Sequence, residues 1–371
     1  MPSDAIVVGA GIVGAACADA LSAAGLSVTV LESRFPGSGA TAAAMGHVVV
    51  MDDSDAQFAL TRLSRELWDA LAPELPRACE DERAGTLWIA AGEAERESVG
   101  RKAELYRSRG VPVDELDGRD LVREEPNLRP GLAGALRVPG DRIVYPPAAA
   151  RFLLDRARAR GARVVTGAEA SVIGPRRVTT HQGAFDGAVV VNAAGVAAPL
   201  LAPGLPIAPR KGHLVITDRY PGFCRHQLVE LGYLSSAHGH STESVAFNLQ
   251  PRATGQMLLG SSREFAGLEP AVNRSLRNRM VRRALDFMPA LARLSALRTW
   301  TGFRPATPDN LPLVGAWPET DGLWIAAGHE GLGVTTALGT ARLIADAILG
   351  KTSPIDPAPY RPTRRFAAAH A

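Results

Sequence analysis

The chain has only three cysteines in 371 residues, Cys17, Cys79 and Cys224, with no CxxC pair and no metal-ligand spacing. An odd, sparse set builds no disulfide framework and suits a reducing compartment. Charge of one sign is also missing: 38 acidic residues face 41 Lys and Arg. That balance excludes the broad basic face of a nucleic-acid binder. Met1-Pro2-Ser3-Asp4 lacks the basic region of a signal peptide. A cytoplasmic location is therefore expected, with peripheral membrane association left open. One uncharged run, Gly187 to Ala208, has the length to span a bilayer. It contains Asn192, Pro199, Pro203 and Pro206, however, and reads as strand, turn and loop. Internal repeats, low-complexity tracts, carboxylate pairs and nucleophile triads are absent too, and the His-containing segments, His238 and Gly239-His240 among them, do not fit a metal. The hydrophobic share of 46% and charged share of 21% belong to a globular chain with room for one large interleaved domain or two ordinary ones.

What is present begins at once. Ala5-Ile6-Val7-Val8 is a short apolar run that leads into Gly9-Ala10-Gly11-Ile12-Val13-Gly14. An Ala-rich, helix-favouring stretch follows to about Ala24, with Gly25 to end it. Ser27 to Leu31 then reads as a second buried strand that ends at Glu32, 18 positions after Gly14. This is a βαβ unit with a dinucleotide fingerprint. Gly9 permits the tight turn, Gly11 lets backbone approach a pyrophosphate, and Gly14 allows close helix–strand packing. The helix N-terminus, with Ile12 and Val13, offers N–H groups and a partial positive charge to phosphates. Glu32 is placed to accept hydrogen bonds from ribose hydroxyls and to repel a 2′-phosphate.

Further on come a Gly/Ser/Ala-rich loop (37–46), a helix from Ala56 to about Leu75, and a helix near Pro147 to Gly161 followed by a strand at 162–165. Ala188 to Val191 reads as a core strand running into Asn192-Ala193-Ala194-Gly195. Residues 205–297 change towards alternating strands, interrupted by an arginine-rich helix near Ser275 to Met288. The last seventy residues return to α/β character, with a strand at 323–327, a helix from about Thr335 to Leu349 and an irregular Pro- and Arg-rich tail. Two of these segments favour FAD over NAD. Ala188 to Gly195 ends in small residues suited to passing beside an adenosine. Gly328-His329-Glu330-Gly331-Leu332-Gly333-Val334-Thr335 is a second strand–turn–helix whose N–H groups suit the N1/C2=O edge of a flavin. An NAD domain does not need this return of the chain.

The chain resembles the flavoprotein family of D-amino acid oxidase, glycine oxidase and monomeric sarcosine oxidase. The resemblance rests on the N-terminal fingerprint, Ser38-Gly39-Ala40-Thr41, Ala193-Ala194-Gly195, Phe303-Arg304-Pro305-Ala306-Thr307-Pro308-Asp309 and Gly328-His329-Glu330-Gly331. A narrower likeness, to the flavin subunits of D-hydroxyproline dehydrogenases, lies in Met45-Gly46-His47-Val48-Val49-Val50-Met51-Asp52-Asp53, Ser244 to Asn248 and Gly260 to Arg263. It implies cis-4-hydroxy-D-proline as substrate and a cyclic imine as product. The fold implied is α/β: a Rossmann-like FAD-binding domain made of 1–78, 141–205 and 298–371, interleaved with a mostly antiparallel α+β substrate domain of 79–140 and 206–297. The flavin ring is expected at their junction.

Arg304 is the first candidate for function. It stands in a Pro-rich turn, and its planar fork suits bidentate capture of an α-carboxylate; the resemblance assigns it the same task. The resemblance places His47 against the flavin, where it has three open uses: a hydrogen bond to the ring, help in deprotonating the substrate amine, or packing. His329 is expected to position the flavin turn. Tyr233 and His213 are weaker pocket candidates, and Glu330 reads as a solvated loop carboxylate. Ser33, Ser38, Thr41, Ala42 and Gly46 join the expected cofactor contacts, with Thr41 and Ala42 approaching through backbone. So do Gly331, Leu332, Gly333, Val334 and Thr335, while Ala170 and Ala194 border the adenosine. No cysteine falls at the flavin-linking position of sarcosine oxidases, so non-covalent FAD is expected and no metal. The reaction implied is hydride transfer from the substrate α-carbon to flavin N5. Glycine, sarcosine or other D-amino acids remain rival substrates. An electron-transfer flavin subunit of a larger complex and an NAD-binding module are rival functions. The electron acceptor, partner subunits and a homo-oligomer stay open.

Overall fold

The apolar run that opens the chain becomes the strand Ser3–Val8, paired in parallel on one side with Val28–Glu32 and on the other with Gly183–Asn192. The computed structural model describes residues 2–232 and 243–366. The chain divides into two units, one of Met1–Cys79, Tyr145–Arg210 and Phe303–Ala371, the other of Glu80–Val144 and Lys211–Gly302. In the first unit the sheet runs Leu313–Ala316, Leu323–Ala327, Gly183–Asn192, Ser3–Val8, Val28–Glu32 and Arg163–Thr166. A hairpin of Ala170–Gly174 and Arg177–Thr180 extends from Gly183–Asn192. The central strands are buried on both faces, as near-continuous Val and Ile runs require.

Helices cover this sheet. The first, Ile12–Ala23, packs against Pro146–Ala159 and against the C-terminal helix Gly333–Ile348. The helix Asp55–Leu71 starts on a Ser54 side-chain cap and meets the C-terminal helix at Gly339, where a Cβ would lie 2.3 Å from Ser64 Oγ. It stops short of the expected Leu75 because Pro73 opens a 3-10 turn over Ala72–Glu74. The apolar run from Gly187 to Ala208 is a strand end, a 3-10 turn and the short helix Ala198–Leu201. Among the described residues no helix is long and apolar enough to cross a membrane. The tail is more ordered than its composition implies. Tyr360 is buried and donates its hydroxyl to the Ala56 carbonyl at 2.6 Å, and Arg364 grips Asp309 through two 2.7 Å hydrogen bonds.

The second unit is built on a sheet in the order Ala296–Ala306, Ala208–Thr217, Met257–Glu264, Glu243–Pro251, Gln227–Glu230, Thr86–Ala90, Gly134–Val138 and Asp114–Asp117. Most pairs are antiparallel, while Gln227–Glu230 runs parallel to Thr86–Ala90. The helix Arg274–Phe287 lies on one face, where Leu87, Ile89, Leu228, Phe247 and Leu249 meet Met280, Ala284 and Phe287. The Phe247 and Phe287 rings stack at 4.8 Å. Strand alternation sends Thr86, Gln227, Asn248 and Gln250 to the opposite face. All four are buried.

Two glycines separate steric necessity from conformational preference. A Cβ on Gly14 would sit 2.0 Å from the Gly9 carbonyl oxygen. Gly25 has φ +88° but nothing within 4 Å of its would-be Cβ. Gly14→Ala is expected to cost ~3 kcal/mol or more, because backbone must move. Gly25→Ala should cost only ~1 kcal/mol, the left-handed penalty. Urea unfolding of the two variants checks this; equal losses would mean that the close approach at Gly14 is not maintained in solution.

Candidate functional site

The glycine turn is held from several sides. Gly9 has φ +102° and faces the chain that leaves Gly183–Asn192, so a Cβ there would meet Ala193 O at 2.7 Å. The Gly9 N–H donates to Leu31 O, and Ala10 O accepts from Gly37 N, each at 2.8 Å. Glu32 is buried at the strand tip. Its Oε2 accepts the Ala10 N–H at 2.8 Å and its Oε1 accepts the Arg34 N–H at 2.8 Å, with the Ser38 and Ser33 hydroxyls at 3.3 and 3.4 Å. The carboxylate is thus fixed in orientation before any ribose arrives. Gly11 is the N-cap of the first helix and carries no side chain to block a phosphate. The Thr41 side chain has a structural task as well: its Oγ1 accepts the Ile12 N–H at 2.9 Å and locks the glycine-rich loop to the helix start. Val13 is half-buried, and Ala42 is exposed beside Thr41.

Ala194 and Gly195 follow directly. Asn192 is fully buried; it accepts the Ala194 N–H at 3.2 Å and donates to Ala198 O at 3.0 Å, which shapes the small-residue turn. Ala194 and Ala170 pack on the same apolar cluster of Ile6, Val8 and Leu31. The structure therefore gathers Gly9, Gly11, Ile12, Gly14, Glu32, Ser33, Ser38, Thr41, Ala170, Ala194 and Gly195 at one end of one sheet.

The second cluster forms around the start of the C-terminal helix. Gly328, with φ +82°, turns where a Cβ would strike Thr307 Cγ2 at 2.6 Å. Glu330 has φ +46° and donates its N–H to Pro305 O at 2.9 Å, which ties the turn to the Arg304 strand. Contrary to the expected solvated loop carboxylate, Glu330 is buried. Its Oε1 lies 3.9 Å from Arg210 Nη1 and 4.0 Å from Arg304 Nε. At that separation a unit pair attracts by about 4 kcal/mol at an effective dielectric of ~20, and desolvation offsets much of it. The arrangement orients the arginines more than it stabilises the fold. The Arg304 side chain keeps 19% exposure against 5% for Arg210. Gly331 is exposed, Leu332 and Gly333 are half-buried, and no side chain among the described residues caps this helix. Its N–H end is open to an electron-rich ligand.

His47 and Gly46 join this cluster through Thr335, whose hydroxyl donates to His47 O at 2.8 Å; Trp68 Nε1 donates to Val334 O and Thr335 O. His47 Nε2 is enclosed and has no hydrogen-bond partner among the described residues. Burial pushes this imidazole down to about 3, so it is neutral and too weak a base to take a proton from an amine. His329 is likewise pushed to about 3 by burial, and its Nε2 is 3.0 Å from Thr340 Oγ1. Its ring ties the turn to the helix two turns on. His213 is fully buried in the other unit, with Nδ1 2.9 Å from Ser262 Oγ and Nε2 accepting the Asn273 N–H at 3.0 Å, so it is spent on packing. Tyr233, His238 and His240 lie outside the described residues. The two narrow motifs of this unit meet as neighbouring strands, with Ser244 opposite Arg263 and Asn248 opposite Gly260.

The donor set suits FAD: a backbone cradle that side chains would fill, an open helix N-terminus, a pre-oriented carboxylate, and an enclosed imidazole nitrogen with no partner among the described residues. A Rossmann-like sheet carrying such a cradle together with a second turn at the C-terminal helix defines an FAD-dependent oxidoreductase. Residues 4–347 match the family model DAO, FAD dependent oxidoreductase, and the chain belongs to that family. Its relatives span several amino-acid substrates. The solved glycine oxidase of Geobacillus kaustophilus is 28% identical, with a TM-score of 0.89 over 99% of this chain and 100% of that one. The L-proline dehydrogenase of P. horikoshii is 26% identical, with a TM-score of 0.86 and 97% of each chain covered. A D-amino acid dehydrogenase of Cereibacter sphaeroides is 31% identical over 81% of this chain and 69% of its own length.

Sequence reasoning missed Arg210. The signal was a charged pair, Arg210-Lys211, within a run that becomes a buried strand. The neutral histidines have a consequence for stability. Burial pushes the His329 imidazole down to about 3 in the folded chain, from 6.5 for a solvated imidazole. The unfolded chain therefore holds more protons between those values, and stability present above pH 6.5 is lost as pH falls towards 3. His329→Gln is expected to lessen that fall by about 1.4 kcal/mol per pH unit below ~5.5. Urea unfolding across pH 4–7 checks it, and parallel curves for both proteins would contradict burial of a neutral ring.

Proposed function

We propose that this flavoenzyme oxidises the C–N bond of a small amino or imino acid, and that its substrate is cis-4-hydroxy-D-proline, converted to the cyclic imine. When bound, FAD supplies the hydride acceptor. The carrying observation is Arg304, a guanidinium left partly exposed while Glu330, buried behind it, keeps it from wandering. Arg304 takes the substrate carboxylate in its planar fork and so fixes the α-carbon for transfer. The open N-terminus of Gly333–Ile348 receives the electron-rich edge of the flavin ring. His47 offers Nε2 as a neutral hydrogen-bonding group rather than a base. The substrate amine therefore sheds its proton to solvent before the α-carbon–hydrogen bond breaks.

The narrower substrate reading draws on the three hydroxyproline-type motifs and on similarity to a dehydrogenase that acts on proline, another cyclic secondary amine. Glycine and acyclic D-amino acids are the second reading, favoured by the glycine oxidase and D-amino acid dehydrogenase relatives.

The test is an anaerobic titration of the purified holoenzyme with cis-4-hydroxy-D-proline, D-proline, sarcosine and glycine. Selective bleaching of the flavin band by hydroxyproline is expected. Bleaching by the comparators alone would leave the C–N chemistry and remove the narrow substrate. No bleaching by any of them would overturn the reading. Arg304→Met should lower kcat/KM by about 30- to 100-fold, equivalent to ~2–3 kcal/mol, through lost carboxylate binding. The rate of flavin reduction should rise with pH along the titration of the substrate ammonium. His47→Asn is expected to leave that limb where it is, and a displaced limb would restore His47 as the base.

A further inference from the structure

Basic residues concentrate in one stretch of the second unit. From Arg274 to Arg298 there are seven arginines and a single acidic residue, Asp286. Five of the seven stand on the helix Arg274–Phe287. Arg279 and Arg283 are matched by carboxylates, those of Glu243 and Glu230. Arg277 and Arg282 have no carboxylate partner among the described residues. Arg277 instead donates Nε and Nη2 to the Asn278 amide oxygen, at 3.1 and 2.8 Å. A neutral acceptor orients that guanidinium without cancelling its charge.

Beside these two arginines lies a groove of about 520 Å³, lined by the helix and by the strands Ala208–Thr217 and Ala296–Ala306. The second of these strands is the edge of its sheet. Val281, one turn after Arg277, joins Val215 and Ala296 as apolar lining, and no lining residue is acidic. All of them fall within the second unit. We propose that this groove is a second ligand site, for a small alkyl carboxylate whose chain lies on Val215, Val281 and Ala296 and whose head meets Arg282 and Arg277.

The two halves of such a ligand are held by different forces. A fully buried methylene strengthens binding about fourfold, and one lying in an open groove about twofold. An exposed ion pair is weak by itself, so a carboxylate without a chain stays in water. Joined to a chain that is already seated, the same carboxylate meets a planar fork with no counter-charge of its own. The aliphatic stems of the arginines add to the apolar lining. A recess of ligand size suits one molecule better than a flat bilayer surface does.

Calorimetric titration of the holoenzyme with octanoate, 1-octanol and acetate tests this. Octanoate is expected to bind once per chain, about tenfold more tightly than 1-octanol, with acetate weaker still. Decanoate should bind about fourfold more tightly than octanoate, for its two extra methylenes. Arg277→Gln together with Arg282→Gln should weaken octanoate about tenfold, to the level of 1-octanol, and leave 1-octanol where it was. Should that variant fold poorly, Ala296→Asp decides: it stands at an exposed position, and its charge should weaken octanoate and spare 1-octanol. Arg304→Met should bind octanoate as wild type does; loss there would place the probe at Arg304 and overturn the proposal. So would a wild type that takes up no octanoate, or a double variant that binds it equally well. Co-sedimentation with phosphatidylglycerol vesicles, abolished in the double variant and unaccompanied by octanoate binding, would assign these arginines to a membrane surface and overturn it as well.

Discussion

At Gly14 the first helix runs so close to the glycine turn that no side chain fits between them, and much of the first unit follows from that contact. The helix start is brought against the tips of Ser3–Val8 and Val28–Glu32, where Gly9 passes the Ala193 carbonyl without a Cβ in the way. The same approach puts the Ala10 N–H on Glu32 and the Ile12 N–H on Thr41. A helix end, a carboxylate and a loop are thereby assembled before a ligand is bound. Rigidity of this kind lowers the cost of binding a large cofactor, because little has to be ordered at the moment of association.

The C-terminal turn solves a different problem, that of keeping charge where water is scarce. Arg210, Arg304 and Glu330 come from three separate stretches of chain. Arg210 is the last residue before the chain leaves the first unit, and Phe303 is the first after it returns. Their charges meet only because Glu330 adopts a left-handed conformation and bonds Pro305. Around them the ionisable imidazoles are kept neutral by burial, His47 and His329 both at about 3. A family whose chemistry is carried by its cofactor asks its protein for position and field.

Much of this was legible locally. The glycine spacing, the acidic residue after it, and apolar runs of strand length each reflect interactions within about thirty residues, and the structure has Ser3–Val8, Ile12–Ala23 and Val28–Glu32 in those places. The helix near Ser275 appears as Arg274–Phe287 and the last helix as Gly333–Ile348. Other features had no local signal. The Pro- and Arg-rich tail reads as irregular, yet Tyr360 reaches Ala56 and Arg364 reaches Asp309 across 304 and 55 residues. Thr41 reads as a loop residue, and its capping role depends on a helix 29 positions earlier.

By itself the sequence determined the nucleotide-binding character of the N-terminus, the alternation that makes an α/β unit and a mostly antiparallel one, and a resemblance strong enough to name a flavoprotein family. These rest on short-range spacing and on which side chains avoid water, and both can be read without coordinates. Tertiary structure decided which charges face one another. It buried Glu330 between two arginines, removed His213 from consideration, and made His47 and His329 neutral. Desolvation and charge pairing act through distances across the fold, and residues 120 apart in sequence, such as Arg210 and Glu330, acquire their roles only when the chain brings them within 4 Å.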